Sequence, residues 1–148
     1  MSARIDDLEP ITRELCEVFL ADTAAAGLHV RITQTLRTND EQMHLYMKGR
    51  QFVNGEWVVV DPGAIVTKAK PGDSAHNFGE GFDFCFDGKT LEECYPPNDD
   101  PRWLAVGAIG ESLGLAWGGP RGVGDRFTWD RPHFDRPGWQ ARARAVPA

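Results

Sequence analysis

No stretch of this chain is long and apolar enough to span a bilayer, and its start, MSARIDDLEP, lacks the basic head and apolar run of an export signal. The expectation is synthesis in the cytoplasm without membrane insertion, so that action beyond that compartment needs release by another agent. Cysteine is scarce. Cys16, Cys85 and Cys94 are too few and too scattered for a disulfide framework, and no CxxC pair occurs, which suits a reducing compartment. Basic residues are in deficit: 16 Lys and Arg stand against 22 Asp and Glu, for a formal charge of -6. That balance argues against a general nucleic-acid binder, because a phosphate backbone calls for a basic face. Internal repeats and long linkers are also missing, so a single domain over 1–148 is expected.

What is present suits a globular core. The 148 residues are 41% hydrophobic and include eight phenylalanines, enough to bury a core without staples. Leu8, Ile11, Leu15, Val18 and Phe19 return at helical spacing and predict an amphipathic helix from Asp7 to Ala26, stopped at Gly27. The β-branched alternation from Leu28 to Leu36 predicts a strand. Thr38 and Glu41 form a capping box for a short helix from Asn39 to Lys48. QFVNGEWVVV predicts a hairpin turning on Asn54 and Gly55. DGKTLEECYPPNDDP reads as a polar loop with room for one helical turn. Asp100 as cap and Pro101 at the first position open a later helix, with Trp103, Leu104, Ala108, Ile109 and Leu113 on its buried face. The tail from Arg136 onward reads as a solvated end. This order predicts an α+β domain with an antiparallel sheet.

The chain centres on SAHNFGEGFD, Ser74 to Asp83. Gly79 and Gly81 keep this backbone from a steady helix. In the following FDFCF, Phe82, Phe84 and Phe86 point to one side of a strand, and Asp83 and Cys85 to the other. A second cluster, DRPHF, places Asp130 close to His133, with Pro132 keeping the segment extended or turned. Two histidines and a carboxylate suit zinc, and three protein ligands leave a fourth position for water.

TLRTNDEQMHLYMKGR, IVTKAKPGDSAHNFGEGFDF, LGLAWGG and DRPHF, in that order, resemble the zinc L-alanyl-D-glutamate peptidases of phage endolysins. That group belongs to the D-Ala-D-Ala metallopeptidase (LAS) family, whose fold is shared with the hedgehog signalling domain. The likeness runs from Arg31 to Phe134, and SxHxxGxxxD joined to DxPH is specific in combination. It implies a hedgehog/DD-peptidase-like α+β fold, a small antiparallel sheet flanked by helices, with the catalytic core over about 28–136 and no separate wall-binding domain. It further implies His76, Asp83 and His133 as Zn2+ ligands, Asp130 as the catalytic carboxylate, Arg37 as the contact to the substrate carbonyl, and Ser74 as a substrate-holding residue. The implied activity is hydrolysis of peptidoglycan stem peptides at the L-alanyl-D-glutamate bond by a monomeric, bacteriolytic enzyme, reaching the wall through holin-type release. Family members usually carry Ala where Gly81 stands. The hairpin within 51–60 resembles an insertion, and the stretch over 119–129 is longer than the family pattern.

The chemistry can be reasoned apart from the family. One anionic ligand, Asp83, leaves a zinc site net positive, and Asp130, three residues from His133, is placed to act as general base. Arg37 supplies fixed positive charge to an oxyanion. Each assignment has a structural competitor. Asp130 could cap a turn or orient a histidine, Arg37 could be a surface arginine, and Cys85 is either a rival soft ligand or a small buried hydrophobe. Glu80 reads as a solvated loop carboxylate, and His29 and His44 as structural or exposed. Trp117 and Trp129 either wall a substrate groove or pack. Two other functions compete: a D-Ala-D-Ala carboxypeptidase or dipeptidase using the same site, and a non-catalytic zinc-containing binding domain.

Overall fold

The computed structural model describes residues 1–120 and 130–145. At its centre is β4 (Gly81–Phe86), flanked by β1 (Val30–Gln34) and β6 (His133–Asp135), with β5 (Ala116–Trp117) beyond β6. Every pairing in this sheet is antiparallel, as the α+β expectation required. The period of two along FDFCF sends Phe82, Phe84 and Phe86 into the core beside Phe134 of β6, all at most 2% exposed. They meet α1 (Pro10–Ala25), whose Phe19 ring lies 5.5, 5.6 and 5.0 Å from those of Phe82, Phe84 and Phe134. Burying each such side chain contributes roughly 1.5–3 kcal/mol. Asp83 is thereby turned to the opposite face, where β1, β4 and β6 build the site.

The helices form where the caps predict, but two of them bury different faces. Glu9 caps α1 by accepting from Ile11 and Thr12 N–H. Its buried residues are Thr12, Cys16, Phe19 and Thr23, whereas Ile11 and Val18, expected inside, are 47% and 46% exposed. The threonines can go inside because their hydroxyls are satisfied locally: Thr23 Oγ1 donates to the Phe19 carbonyl and Thr12 Oγ1 to Glu9. In α4 (Pro101–Ser112) the buried residues are Trp103, Val106, Gly107 and Gly110, while Leu104 and Ala108 are exposed. The cause is close approach. A Cβ on Gly107 would sit 2.3 Å from the Trp117 ring, and one on Gly110 2.2 Å from Phe134, so the helix turns its bare backbone, not its leucine, toward the sheet.

α2 (Asn39–Met47) carries the expected capping box of Thr38 and Glu41. β2 (Arg50–Val53) and β3 (Glu56–Val59) form the expected hairpin, with Asn54 and Gly55 both at positive φ. α3 (Leu91–Cys94) is the single turn allowed for in the polar loop. The tail corrects the reading of a solvated end: α5 (Trp139–Ala145) docks through Trp139, 5% exposed and stacked on Phe78 at 6.0 Å. No helix among the described residues is long and apolar enough to cross a membrane.

Candidate active site

Ser74 opens a turn of 3-10 helix, Ala75–Phe78, its Oγ accepting from the His76 N–H at 3.2 Å. Asn77 locks the approach: its Oδ1 accepts from Gly72 N–H, and its Nδ2 donates to the Arg37 carbonyl. Gly79 ends the turn at φ 66°, and a Cβ there would lie 2.9 Å from the Glu9 nitrogen, so glycine is required on both counts. His76 is thus set at the mouth of β4, 3% exposed.

Across the sheet, Asp83 of β4 stands opposite His133 of β6, which puts both side chains on one face. His76 Nε2 and His133 Nδ1 lie 3.1 and 2.7 Å from the same oxygen, Asp83 Oδ1. The outward nitrogens are both committed. His76 Nδ1–H donates to the Thr35 carbonyl at 2.7 Å, and His133 Nε2–H donates to Asp135 Oδ1. A neutral imidazole with one nitrogen donating presents a lone pair on the other, so two lone pairs and a carboxylate oxygen converge on one point. Such convergence calls for a cation or a proton. The three ligand atoms lie within 4.8 Å of one another, a spacing compatible with zinc, whose tetrahedral ligands at about 2.0–2.1 Å stand roughly 3.3 Å apart. Among the described residues this is the sole group of three or more His, Cys, Asp or Glu side chains able to hold an ion.

Charge couples the three groups. Burial opposes ionisation of Asp83, but the His76 and His133 imidazoles outweigh it and hold the carboxyl below its ordinary range. Burial also works against a charged His133, yet Asp135 and Asp83 raise its pKa well above 6.5. Asp130 enters from the far side of β6, its N–H bonded to the Gly118 carbonyl at 2.9 Å. Its carboxyl is pushed up by burial first and then by Asp83 and Asp135, against the opposing pull of His133 and His76. Arg37 is 9% exposed at the end of the segment that follows β1. Burial lowers its pKa, and Asp83, Glu41 and Asp130 lie near enough to counter that loss.

The structure therefore brings together five of the seven candidates, His76, Asp83, His133, Asp130 and Arg37, with Ser74 beside them as a cap. Trp117 is a correction. At 1% exposure it presents no surface to a substrate; its ring packs on Gly107 and Gly119, and its Nε1–H donates to the Arg131 carbonyl at 2.7 Å, steadying the residue next to Asp130. Glu80 is a second correction: it is 4% exposed and paired with Arg136 and Arg142. Cys85, 1% exposed, lies by Arg31 and outside the cation group. His29 and His44 are exposed, as expected. Trp129 and most of the 119–129 stretch lie outside the described residues. Two contributors were missed, Thr35 through its carbonyl and Asp135. The second had a signal, since residues 133 and 135 share a strand face.

Comparison with known proteins agrees with this architecture. Residues 6–120 match the VanY family, described as D-alanyl-D-alanine carboxypeptidase. The peptidoglycan L-alanyl-D-glutamate endopeptidase CwlK of Bacillus subtilis (strain 168) is 35% identical over 135 residues, which cover 87% of this chain and 73% of that protein. A solved structure of the LdcB LD-carboxypeptidase superposes with a TM-score of 0.60 at 13% identity, over 93% of this chain. The chain spans 62% of that one, and the likeness concerns the fold.

Proposed function

The chain belongs to the VanY D-alanyl-D-alanine carboxypeptidase family, and from that membership we propose that it is a zinc-dependent peptidase cutting peptidoglycan stem peptides at the L-alanyl-D-glutamate bond. The observation that carries the proposal is the convergence of His76, Asp83 and His133 on one point, with Asp130 and Arg37 beside it. The choice of bond rests on the likeness to the Bacillus endopeptidase. Action on the wall as a phage-type endolysin after holin-type release, as one monomeric peptidase domain, belongs to the same proposal.

His76, Asp83 and His133 would hold the metal, with Thr35 and Asp135 fixing the tautomer of each imidazole. Bound zinc supplies a water whose pKa is lowered to about 7 and polarises the scissile carbonyl. Asp130 accepts the proton of the attacking water on its carboxylate and passes it to the nitrogen of the leaving amine. Its raised pKa matches that task better than an ordinary aspartate would. Arg37 directs N–H groups toward the carbonyl oxygen as negative charge grows there, an interaction worth about 3–4 kcal/mol for one such donor. Ser74 Oγ, which accepts from His76 N–H, keeps its own hydroxyl proton to offer to the substrate.

The family description favours one other reading, removal of a terminal D-amino acid by the same machinery. Digestion of purified peptidoglycan, with mass spectrometry of the soluble products and metal analysis of the enzyme, separates the two. New D-Glu amino termini and one zinc per chain are expected. Release of free D-Ala with the mesh intact would replace the endopeptidase by the carboxypeptidase, and activity indifferent to chelators would remove the metal.

A further inference from the structure

Arg37 carries five N–H donors, and its protein partners are uncharged. Nη1 donates to Gln42 Oε1 at 2.9 Å, Nη2 to Gln34 Oε1, and Nε to the Met1 sulfur at 3.3 Å. Among the described residues no carboxylate accepts a hydrogen bond or forms an ion pair with it, although it is only 9% exposed. That is unusual, because a buried cation is ordinarily paired with an anion.

The two glutamines are themselves fixed. Gln42 is fully buried, and its Nε2–H donates to the Ala69 carbonyl at 2.8 Å, which dictates that Oε1 faces the guanidinium. An amide turned the other way would set N–H against N–H and lose both bonds. Gln34 stands opposite Asp83 in the β1–β4 register, immediately after the irregularity between Ile32 and Gln34, so the bulge brings its side chain to the face that holds the site. Among the described residues, one N–H on each terminal nitrogen of Arg37 has no hydrogen-bond acceptor.

We infer that Gln34 and Gln42 are positioning residues that hold the Arg37 guanidinium in place without discharging it, leaving its charge for the oxygen that turns negative in the reaction. The inference rests on the role of Arg37 proposed above. Glutamate at position 34 would hold the guanidinium as firmly, but would spend its charge in an ion pair; at position 42 it would do the same while giving up the bond to the Ala69 carbonyl. At Gln34, geometry and charge are thus separable by exchanging NH2 for O. A role confined to packing is insensitive to that change so long as the fold survives.

The test uses the full chain loaded with zinc and a soluble muropeptide containing the L-alanyl-D-glutamate bond, with kcat, KM and thermal midpoint measured for each variant. Gln34→Glu is expected to keep the midpoint, to hold KM within about threefold, and to lower kcat by about tenfold or more. Gln42→Glu should lower kcat as well, but with a lower midpoint, because its second carboxylate oxygen would face the Ala69 carbonyl in a fully buried place. Gln42→Met, which keeps length and removes the acceptor, should also lower kcat. The inference is overturned if folded Gln34→Glu retains kcat within about threefold of the parent. Should Gln34→Glu fail to fold, Gln42→Glu decides by the same criterion. Arg37→Ala separates the two levels of argument: full activity there removes the role of Arg37 itself, whereas an inactive Arg37→Ala beside active glutamate variants removes the inference alone.

Discussion

Asp135→Ala probes the site at the residue sequence reasoning passed over. Asp135 accepts the His133 Nε2–H and is 7% exposed, so its carboxylate both selects the tautomer and enriches the electron pair on Nδ1. Loss of such a partner typically costs about 10–100-fold in metal affinity, or about 1.4–2.7 kcal/mol. The same carboxylate, however, raises the His133 pKa above 6.5, and a proton on Nδ1 must leave before a metal binds. At high pH no proton competes and the whole deficit should appear. As pH falls below the His133 pKa of the parent, the parent spends about 1.4 kcal/mol per pH unit displacing its proton. The variant, with a lower His133 pKa, is spared part of that penalty. The affinity gap should therefore be widest at the alkaline end and narrow as pH falls through the His133 pKa of the parent. Competition against a zinc-buffering chelator across that range measures it, with Asp135→Asn as the control that keeps an acceptor. A gap that widens as pH falls, or an Asp135→Ala affinity equal to the parent's at the most alkaline pH the fold tolerates, would refute the reasoning.

Asp130→Ala should keep its zinc and lose about 10²–10⁴-fold in kcat; elemental analysis together with a fragment assay checks both halves, and retained turnover would take the base role away from Asp130. Because burial and neighbouring carboxylates raise the Asp130 pKa, the acidic limb of kcat/KM should lie above the ordinary 3.8, activity falling as pH drops through it. In the metal-stripped protein the raised His133 pKa stabilises the fold fully below 6.5 and progressively less as pH climbs through the folded value, while the depressed Asp83 pKa stabilises above 3.8. Its thermal midpoint should thus peak between those two and decline toward alkaline pH, and a midpoint that rises steadily to pH 9 would contradict this. Gly110→Ala should lower the midpoint although alanine is the better helix former by about 1 kcal/mol, because its Cβ would meet Phe134 at 2.2 Å and overpacking costs about 1–3 kcal/mol. Gly81→Ala is milder: its Cβ would stand 3.0 Å from Ala75 Cβ and 3.2 Å from His133 Cε1, so a small loss of metal affinity is expected with the fold intact.

Local rules carried some features without help. Alternation in FDFCF settles which phenylalanines enter the core, Asn54 and Gly55 supply the positive φ that a tight hairpin needs, and Thr38 with Glu41 closes its cap within four residues. Each is decided by neighbours along the chain. The spacing of His76 to Asp83 and of Asp130 to His133 was legible for the same reason.

Other features were set by partners far away in sequence. The buried face of α4 turns on how closely the Trp117 and Phe134 rings of β5 and β6 approach glycine backbone, which periodicity does not encode. Glu80 is buried because Arg136 and Arg142 reach it across more than fifty residues, and Trp139 docks on Phe78 in like manner. Asp135 and the paired glutamines acquire meaning only once the β4–β6 and β1–β4 registers are known. A chain by itself determines donors, acceptors and spacing over a few residues; strand register decides which of them face one another, and in an antiparallel sheet a slip of one position sends every side chain to the other face.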